Sequence, residues 1–198
     1  LPAATLVLAG AGETTTLTDE LIGRCDLYVQ PGGGELEPAY ELLSTHRKAI
    51  RRHVRAGGGY LGLCLGGYLA GHTPGFGLLP GDTDQYVATE GAEVAHTDDT
   101  VIKVDWGGRR RRILFQDGPV FQVEESQVEV LARYRNGTVA ALATAFGQGR
   151  VVVCGPHPEA TRQWFKAVHP WTRYSDCTDL GHQLVRATFA PGGTLEVS

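Results

Sequence analysis

Short, nearly uninterrupted apolar runs alternate with stretches of helical period through the first third of the chain. TLVLAG (5–10) and CDLYVQPGGG (25–34) are apolar runs that stop at glycine or proline, and each predicts a buried strand. In ELEPAYELLSTHRKAIRRHVRAGGG (35–59), Leu42, Leu43, Ile50 and Val54 share one face at helical spacing and Gly57 is placed to end the pattern, which predicts one long helix. GYLGLC (59–64) predicts a further buried strand, and LGGYLAG (65–71) opens a helix directly after it. Strands that are apolar on both faces, alternating with helices, are the pattern of a parallel sheet covered on both sides.

The pattern changes after residue 71. HTPGFGLLPGD (72–82) reads as loop, and 83–145 as short strands of an antiparallel insertion. VIKVDW and RRILFQ flank Gly107-Gly108, and VEVLARYRNGTVAALATAF carries Asn136-Gly137, so two two-residue hairpins are expected. GRVVVCGPHPE (149–159) returns to a buried strand, with helices expected over about 160–168 and within 176–189. The whole reads as one domain over 1–198, an α/β fold with a mainly parallel sheet and an antiparallel hairpin insertion.

Composition narrows the function classes. With 42% apolar and 20% charged residues the 198-residue chain has the makings of a full core, and a net charge of −4 argues against nucleic acid or an anionic membrane as the main partner. No run approaches the ~18 apolar residues of a membrane span. No signal peptide opens the chain, and a start at Leu1 with no methionine anywhere fits a trimmed N-terminus. The chain therefore reads as soluble, with the compartment open between the cytoplasm and a secreted form. Cys25, Cys64, Cys154 and Cys177 are widely spaced with no CxxC pair, which argues against zinc and a dense disulfide framework and leaves room for one bridge through Cys25 or Cys177.

Glycine is the outlier, with 27 residues clustered beside apolar runs, and its placement points to chemistry. In G-x-C-x-G-G, Gly62, Gly66 and Gly67 bracket Cys64 where a buried strand turns into a helix. Such a junction forces the middle residue into a cramped conformation and presents its sulfur at the sheet's carboxyl edge. A buried packing cysteine explains the spacing about as well. In GPHPE, His157 and Glu159 stand at i and i+2, so a base and the carboxylate that orients it come from one short segment. Taken alone, a surface histidine beside a glutamate serving the next helix is the commoner arrangement. In QPGGG (30–34), Gly33 or Gly34 leaves amides uncovered after a strand, and with the Leu65 N–H would form an oxyanion hole, unless the run is an ordinary turn. Three strand ends of one parallel sheet would bring these parts to the edge where open α/β sheets bind ligands.

PGGG, G-L-C-L-G-G and H-P-E in this order resemble the class I glutamine amidotransferase-like superfamily. Within it, DLYVQPGGGE, GGGYLGLCLGGYLAG and FQDGPVF (115–121) are most similar to the biotin-protein ligase N-terminal-type domain, BPL_N. The resemblance spans roughly residues 25–160. It implies a flavodoxin-like three-layer sandwich, with Cys64 as nucleophile, His157 as base and Glu159 as its orienter. The segment before CDLYVQPGGG is shorter than the strand–helix unit expected there, and biotinylation is not expected of these 198 residues alone, which hold no stretch resembling a ligase catalytic domain or an ammonia-consuming domain. The function expected is a cysteine amidase or amidotransferase-like hydrolase that cleaves an amide or related C–N bond through a thioester. The substrate would be a small-molecule or peptide amide, with water, an amine or a protein partner as acceptor. No metal or organic cofactor is expected. The alternatives are a non-catalytic binding module on the same fold and a peptidase- or acyltransferase-like enzyme acting on a larger substrate.

RRRR (109–112) lies on one hairpin arm, so its side chains alternate between faces and a solvated edge strand is expected rather than a nucleic-acid site. Cys154 is expected to be a core residue, His72 a loop residue, and Tyr68 to pack near the site.

Overall fold

The computed structural model describes residues 4–190. In chain order the elements are α1 (Asp19–Arg24), β1 (Leu27–Gln30), α2 (Leu36–Leu43), α3 (Arg47–Arg55), β2 (Gly59–Leu63), α4 (Leu65–Ala70), β3 (Gly81–Gln85), β4 (Thr100–Trp106) and β5 (Arg109–Phe115). They continue with β6 (Pro119–Val123), β7 (Glu129–Tyr134), β8 (Val139–Phe146), β9 (Gly149–Cys154), α5 (Arg162–Val168) and α6 (Thr178–Phe189). The sheet runs β1-β2-β9-β8-β7-β4-β5, and β6 joins β3 to β8. β1, β2 and β9 are parallel, while the strands of the insertion pair antiparallel with one another and with β9.

Side-chain alternation along the parallel strands explains the three layers. Leu61, Leu63, Val152 and Cys154 face one way, into a core closed by Leu180, Leu184 and Ala187 of α6. Tyr60, Val151 and Val153 face the other, against Ile50 and Val54 of α3 and Leu65 and Leu69 of α4. Both faces being apolar, the strand sequences show no polar positions between the apolar ones. The α/β flavodoxin-like class is thus the one observed, with parallel strands at its centre and the antiparallel insertion continuing the same sheet.

Three details differ from the sequence reading. TLVLAG forms no strand: it makes one bridge, Ala9 with Thr15, and Leu6, Val7 and Leu8 are exposed. The helix that follows it, α1, has six residues and spans about 9 Å, short of the ~17–20 Å of an ordinary strand, so it does not carry the chain back for parallel pairing. β1 is left at the sheet edge as a result. The long helix over 35–59 is broken at Ser44–His46, where a 3₁₀ turn intervenes and Ser44 Oγ donates to the Glu41 carbonyl at 3.0 Å. Such local bonds compete with helix continuation. Leu42, expected on the buried face, is consequently exposed.

The third difference is in the hairpins. Gly107 and Gly108 both have positive φ, +53° and +76°, as a two-residue turn of the primed kind requires. Asn136-Gly137 instead lies within a wider loop closed by Tyr134 N–H donating to Thr138 O at 2.9 Å, with positive φ only at Gly137. The Asn136 amide is held away by Thr89 and the Glu90 carbonyl, and its oxygen accepts from Thr138.

The arginine run lies on β5, at one end of the sheet order. Arg111 forks onto both Asp179 carboxylate oxygens at 2.7 and 2.8 Å, and Arg110 reaches Asp105. Charged side chains on such a strand discourage edge-to-edge pairing. Among the described residues no helix is long and apolar enough to cross a membrane.

Candidate active site

Cys64 occupies the junction between β2 and α4 with φ +50° and ψ −107°, a left-handed conformation that an L residue adopts only under constraint. The neighbours that permit it are the two glycines singled out in the sequence. A Cβ on Gly62 would meet the Gly66 carbonyl oxygen at 2.3 Å, and one on Gly66 would meet the Gln30 carbonyl oxygen at 2.0 Å. The backbone is pinned on either side: Cys64 N–H donates to Cys154 O at 2.8 Å, and Tyr60 Oη donates to Gly66 O at 2.7 Å. The strand–turn–helix is therefore fixed by packing as well as by local chain preference. Cys64 itself is buried, and its thiol donates to the Gln116 carbonyl at 3.2 Å.

His157 follows the neighbouring parallel strand, β9. Its backbone N–H donates to Leu114 O at 2.9 Å, which ties the segment after β9 to β5. Its ring is buried, with Nδ1 2.7 Å from Glu159 Oε1, so the carboxylate fixes the ring orientation. The ring of Trp164 stands edge-on to it with centroids 5.5 Å apart. Nε2 is buried and has no hydrogen-bond partner, which leaves it free to take or hold a proton. Burial alone would oppose a charged imidazole, but the nearby Cys64 and the hydrogen-bonded Glu159 outweigh it, and the His157 pKa is raised to about 10.

The third strand end lies at β1. Gly32 is the glycine that matters sterically: a Cβ there would sit 2.7 Å from His157 Cε1, 3.6 Å from Nε2 and 3.1 Å from Cys64 Cβ. The PGGG turn thus lies against both thiol and imidazole. Gly33 and Gly34, with φ of +108° and +84°, face open space, and among the described residues their amides find no hydrogen-bond acceptor. Leu65 opens α4 and is buried. The structure therefore gathers Cys64, His157, Glu159, Leu65 and the PGGG turn at one edge of the sheet.

Sequence reasoning did not single out Gln116, Asp117 or Trp164, which come from the insertion and α5. FQDGPVF was legible as part of a family likeness, but nothing in its pattern said that its turn abuts the thiol. Tyr68 packs there as expected, its hydroxyl donating to Asp117 O at 3.1 Å. Cys154 is fully buried, with its thiol pushed well up by burial. His72 lies in the loop after α4, with Nε2 3.2 Å from the Leu79 carbonyl.

A second thiol–imidazole pair gives a contrast within the same chain. Cys25 Sγ lies 3.9 Å from His53 Nε2. Burial raises the Cys25 pKa and lowers that of His53, so both stay neutral near pH 7. What distinguishes His157 is a carboxylate on the far ring nitrogen. All four cysteines are free, and among the described residues no group of three or more His, Cys, Asp or Glu is arranged to hold a metal ion.

The raised His157 pKa has a testable sign. Because the folded value lies above the ordinary 6.5, the contribution to stability is fully present below about 6.5 and is lost as pH rises through about 10. Glu159→Gln removes one of the groups holding the proton. NMR of the labelled imidazole is expected to show the His157 titration moving clearly below 10 in this variant; an unchanged midpoint would contradict the assignment.

The fold is that of a glutamine amidotransferase-like α/β protein. The model of the family described as "Biotin-protein ligase, N terminal" matches residues 11–82. The biotin–protein ligase of Schizosaccharomyces pombe (strain 972 / ATCC 24843) is 29% identical over 160 residues, which cover 67% of this chain and 25% of that protein. Subunit HisH 2 of imidazole glycerol phosphate synthase from Prochlorococcus marinus (strain MIT 9313) is 28% identical over 162 residues, covering 70% of this chain and 71% of that one. Thus the chain spans a quarter of the length of the ligase and most of that of HisH 2.

Among solved structures, one described as a glutamine amidotransferase superposes with a TM-score of 0.57 at 21% identity, covering 76% of this chain and 82% of that one. A putative GMP synthase component from Thermoplasma acidophilum gives 0.52 at 14% identity, covering 83% and 79%. The resemblance to the class I glutamine amidotransferase-like superfamily, and to BPL_N within it, is borne out by these matches.

Proposed function

We propose that the chain is a cysteine-dependent amidase or amidotransferase-like hydrolase. His157 takes the Cys64 thiol proton, and Glu159 holds the resulting imidazolium. The thiolate adds to an amide carbonyl, while the amides of Leu65 and of Gly33 or Gly34 stabilise the oxyanion. Collapse of the tetrahedral intermediate expels the amine, protonated by His157, and leaves a thioester on Cys64. Water or an amine then attacks the thioester and regenerates the thiol. The observation that carries the reading is the left-handed Cys64 beside a buried imidazole already paired with a carboxylate. The relatives that belong to synthases and the amidotransferase fold support amide chemistry over other acyl transfers.

The test is ammonia release from glutamine and from a panel of primary amides. Turnover that disappears in His157→Ala is the expected result. A second reading, a non-catalytic binding module, is favoured by the match to a quarter of a ligase. It predicts no turnover of any amide.

A further inference from the structure

Helix α3 gathers its charge on one side and all of it has one sign. Arg47, Lys48, Arg51, Arg52 and Arg55 fall opposite the buried Ala49, Ile50, His53 and Val54. Among the described residues none of the five forms an ion pair, and Asp19, near the helix entrance, is taken by His46 at 2.7 Å. Arg47 and Arg51, Lys48 and Arg52, and Arg51 and Arg55 are like charges four residues apart, an unfavourable spacing. The helix dipole accounts for Arg52 and Arg55 in the last turn but opposes Arg47 and Lys48 in the first. An ordinary solvated helix mixes both signs; this one does not, in a chain whose net charge is −4.

Three of these side chains are held in place. Arg51 Cζ lies 4.8 Å and Arg55 Cζ 5.2 Å from the centroid of Phe146, so one ring carries two guanidinium groups. Arg47 Nε donates to Gly75 O at 3.1 Å, and Arg51 Nη1 donates to Phe76 O at 2.7 Å and to Gly77 O. Among the described residues the five side chains make no other hydrogen bonds, which leaves the Nη groups of Arg47 and every N–H of Lys48, Arg52 and Arg55 unspent. Burial first, and then the charges of Arg47 and Arg55, push the Arg51 pKa below its ordinary value, a mark of uncompensated positive charge. With Ala56 the five line a cleft of about 540 Å³, a size suited to a small molecule. Guanidinium forks fixed beside one another with free N–H groups match the oxygens of phosphoryl groups.

We propose that this face of α3 is a binding site for a small molecule carrying two or more phosphoryl groups. Their oxygens accept from Arg51 and Arg55 across Phe146 and from Arg47, Lys48 and Arg52 around the cleft. None of these residues belongs to the constellation of Cys64, His157 and Glu159, so the site stands or falls independently of the amidase reading.

Isothermal titration calorimetry with sodium tripolyphosphate tests it, at about 0.15 M salt, where long-range attraction is screened. One saturable site is expected, with orthophosphate and citrate each binding about tenfold or more weakly. Arg55→Gln is expected to weaken tripolyphosphate about tenfold, the scale of one charge-assisted hydrogen bond. Arg52→Gln, at an exposed position without a hydrogen bond, serves if Arg55→Gln folds poorly. Lys166→Gln removes a cation without an ion pair from α5 and should leave the affinity unchanged. No saturable binding below about 1 mM, citrate binding as tightly as tripolyphosphate, or an affinity unchanged in both arginine variants overturns the proposal. So does an equal loss in Lys166→Gln, which would reduce the effect to overall charge. Tighter binding of hexaglutamate than of tripolyphosphate would overturn it too, and make the face a docking surface for an acidic protein.

Discussion

Cys64→Ser is expected to reduce amide turnover by a factor of about 10³ or more, on the scale seen when a nucleophile is removed from a catalytic triad. The substitution changes one atom, so folding should survive it. Sγ sits in a buried site with a single hydrogen bond to the Gln116 carbonyl, which a hydroxyl also makes. What changes is nucleophilicity: a neighbouring imidazolium stabilises a thiolate readily, whereas an alkoxide is far harder to form. His157 depends on the same atom. With Cys64 gone, one of the two groups that raise its pKa is lost, and its titration should move down toward the ordinary value. Ammonia release from the best amide substrate, with circular dichroism to confirm folding, checks the expectation. A variant retaining more than a tenth of wild-type turnover would place the chemistry elsewhere.

Gly66→Ala carries the largest expected cost in stability. The added methyl would sit 2.0 Å from the Gln30 carbonyl oxygen and 2.8 Å from the Gln30 carbonyl carbon. Those are backbone atoms at the end of β1, hydrogen-bonded in register with β2, so neither side can yield cheaply. Relief requires α4 to move away from β1, which would disturb the Cys64 turn and the PGGG loop together. A loss of about 3 kcal/mol or more is expected, at the upper end for overpacking substitutions. Chemical denaturation measures it directly. Gly33→Ala is the control for crowding, because nothing lies within 4 Å of a Cβ there and only its φ of +108° is strained.

The contrast between these glycines shows what the chain's pattern could and could not reveal. The strands β2 and β9 were legible because each is buried on both faces, and β1 because its apolar run stops at Pro31 and three glycines; their order delivers three strand ends to one edge. Cys64, His157 and Glu159 stood out as candidates for a different reason: each lies in a local pattern, within one turn or one short segment. TLVLAG had the same apolar look as β1, but pairing depends on the connection that follows, and a six-residue helix does not supply it. The parts of the site drawn from the insertion were hidden. Gln116 reaches Cys64, and Asp117 reaches Tyr68, across a sequence separation of about fifty residues, through a sheet order no local period encodes. Gly32 rather than Gly33 or Gly34 meets the imidazole, a distinction of one residue that only the backbone path decides.

The most direct measurement is the relative alkylation rate of the four cysteines with iodoacetamide near neutral pH, resolved by peptide mass spectrometry. Cys25, Cys154 and Cys177 all have thiol pKa values raised, chiefly by burial, and each lacks an imidazolium held by a carboxylate. Cys64 is expected to react at least about 30-fold faster than any of them, and to slow sharply in His157→Ala. Equal, slow labelling of all four cysteines, unaffected by His157→Ala, would contradict the account.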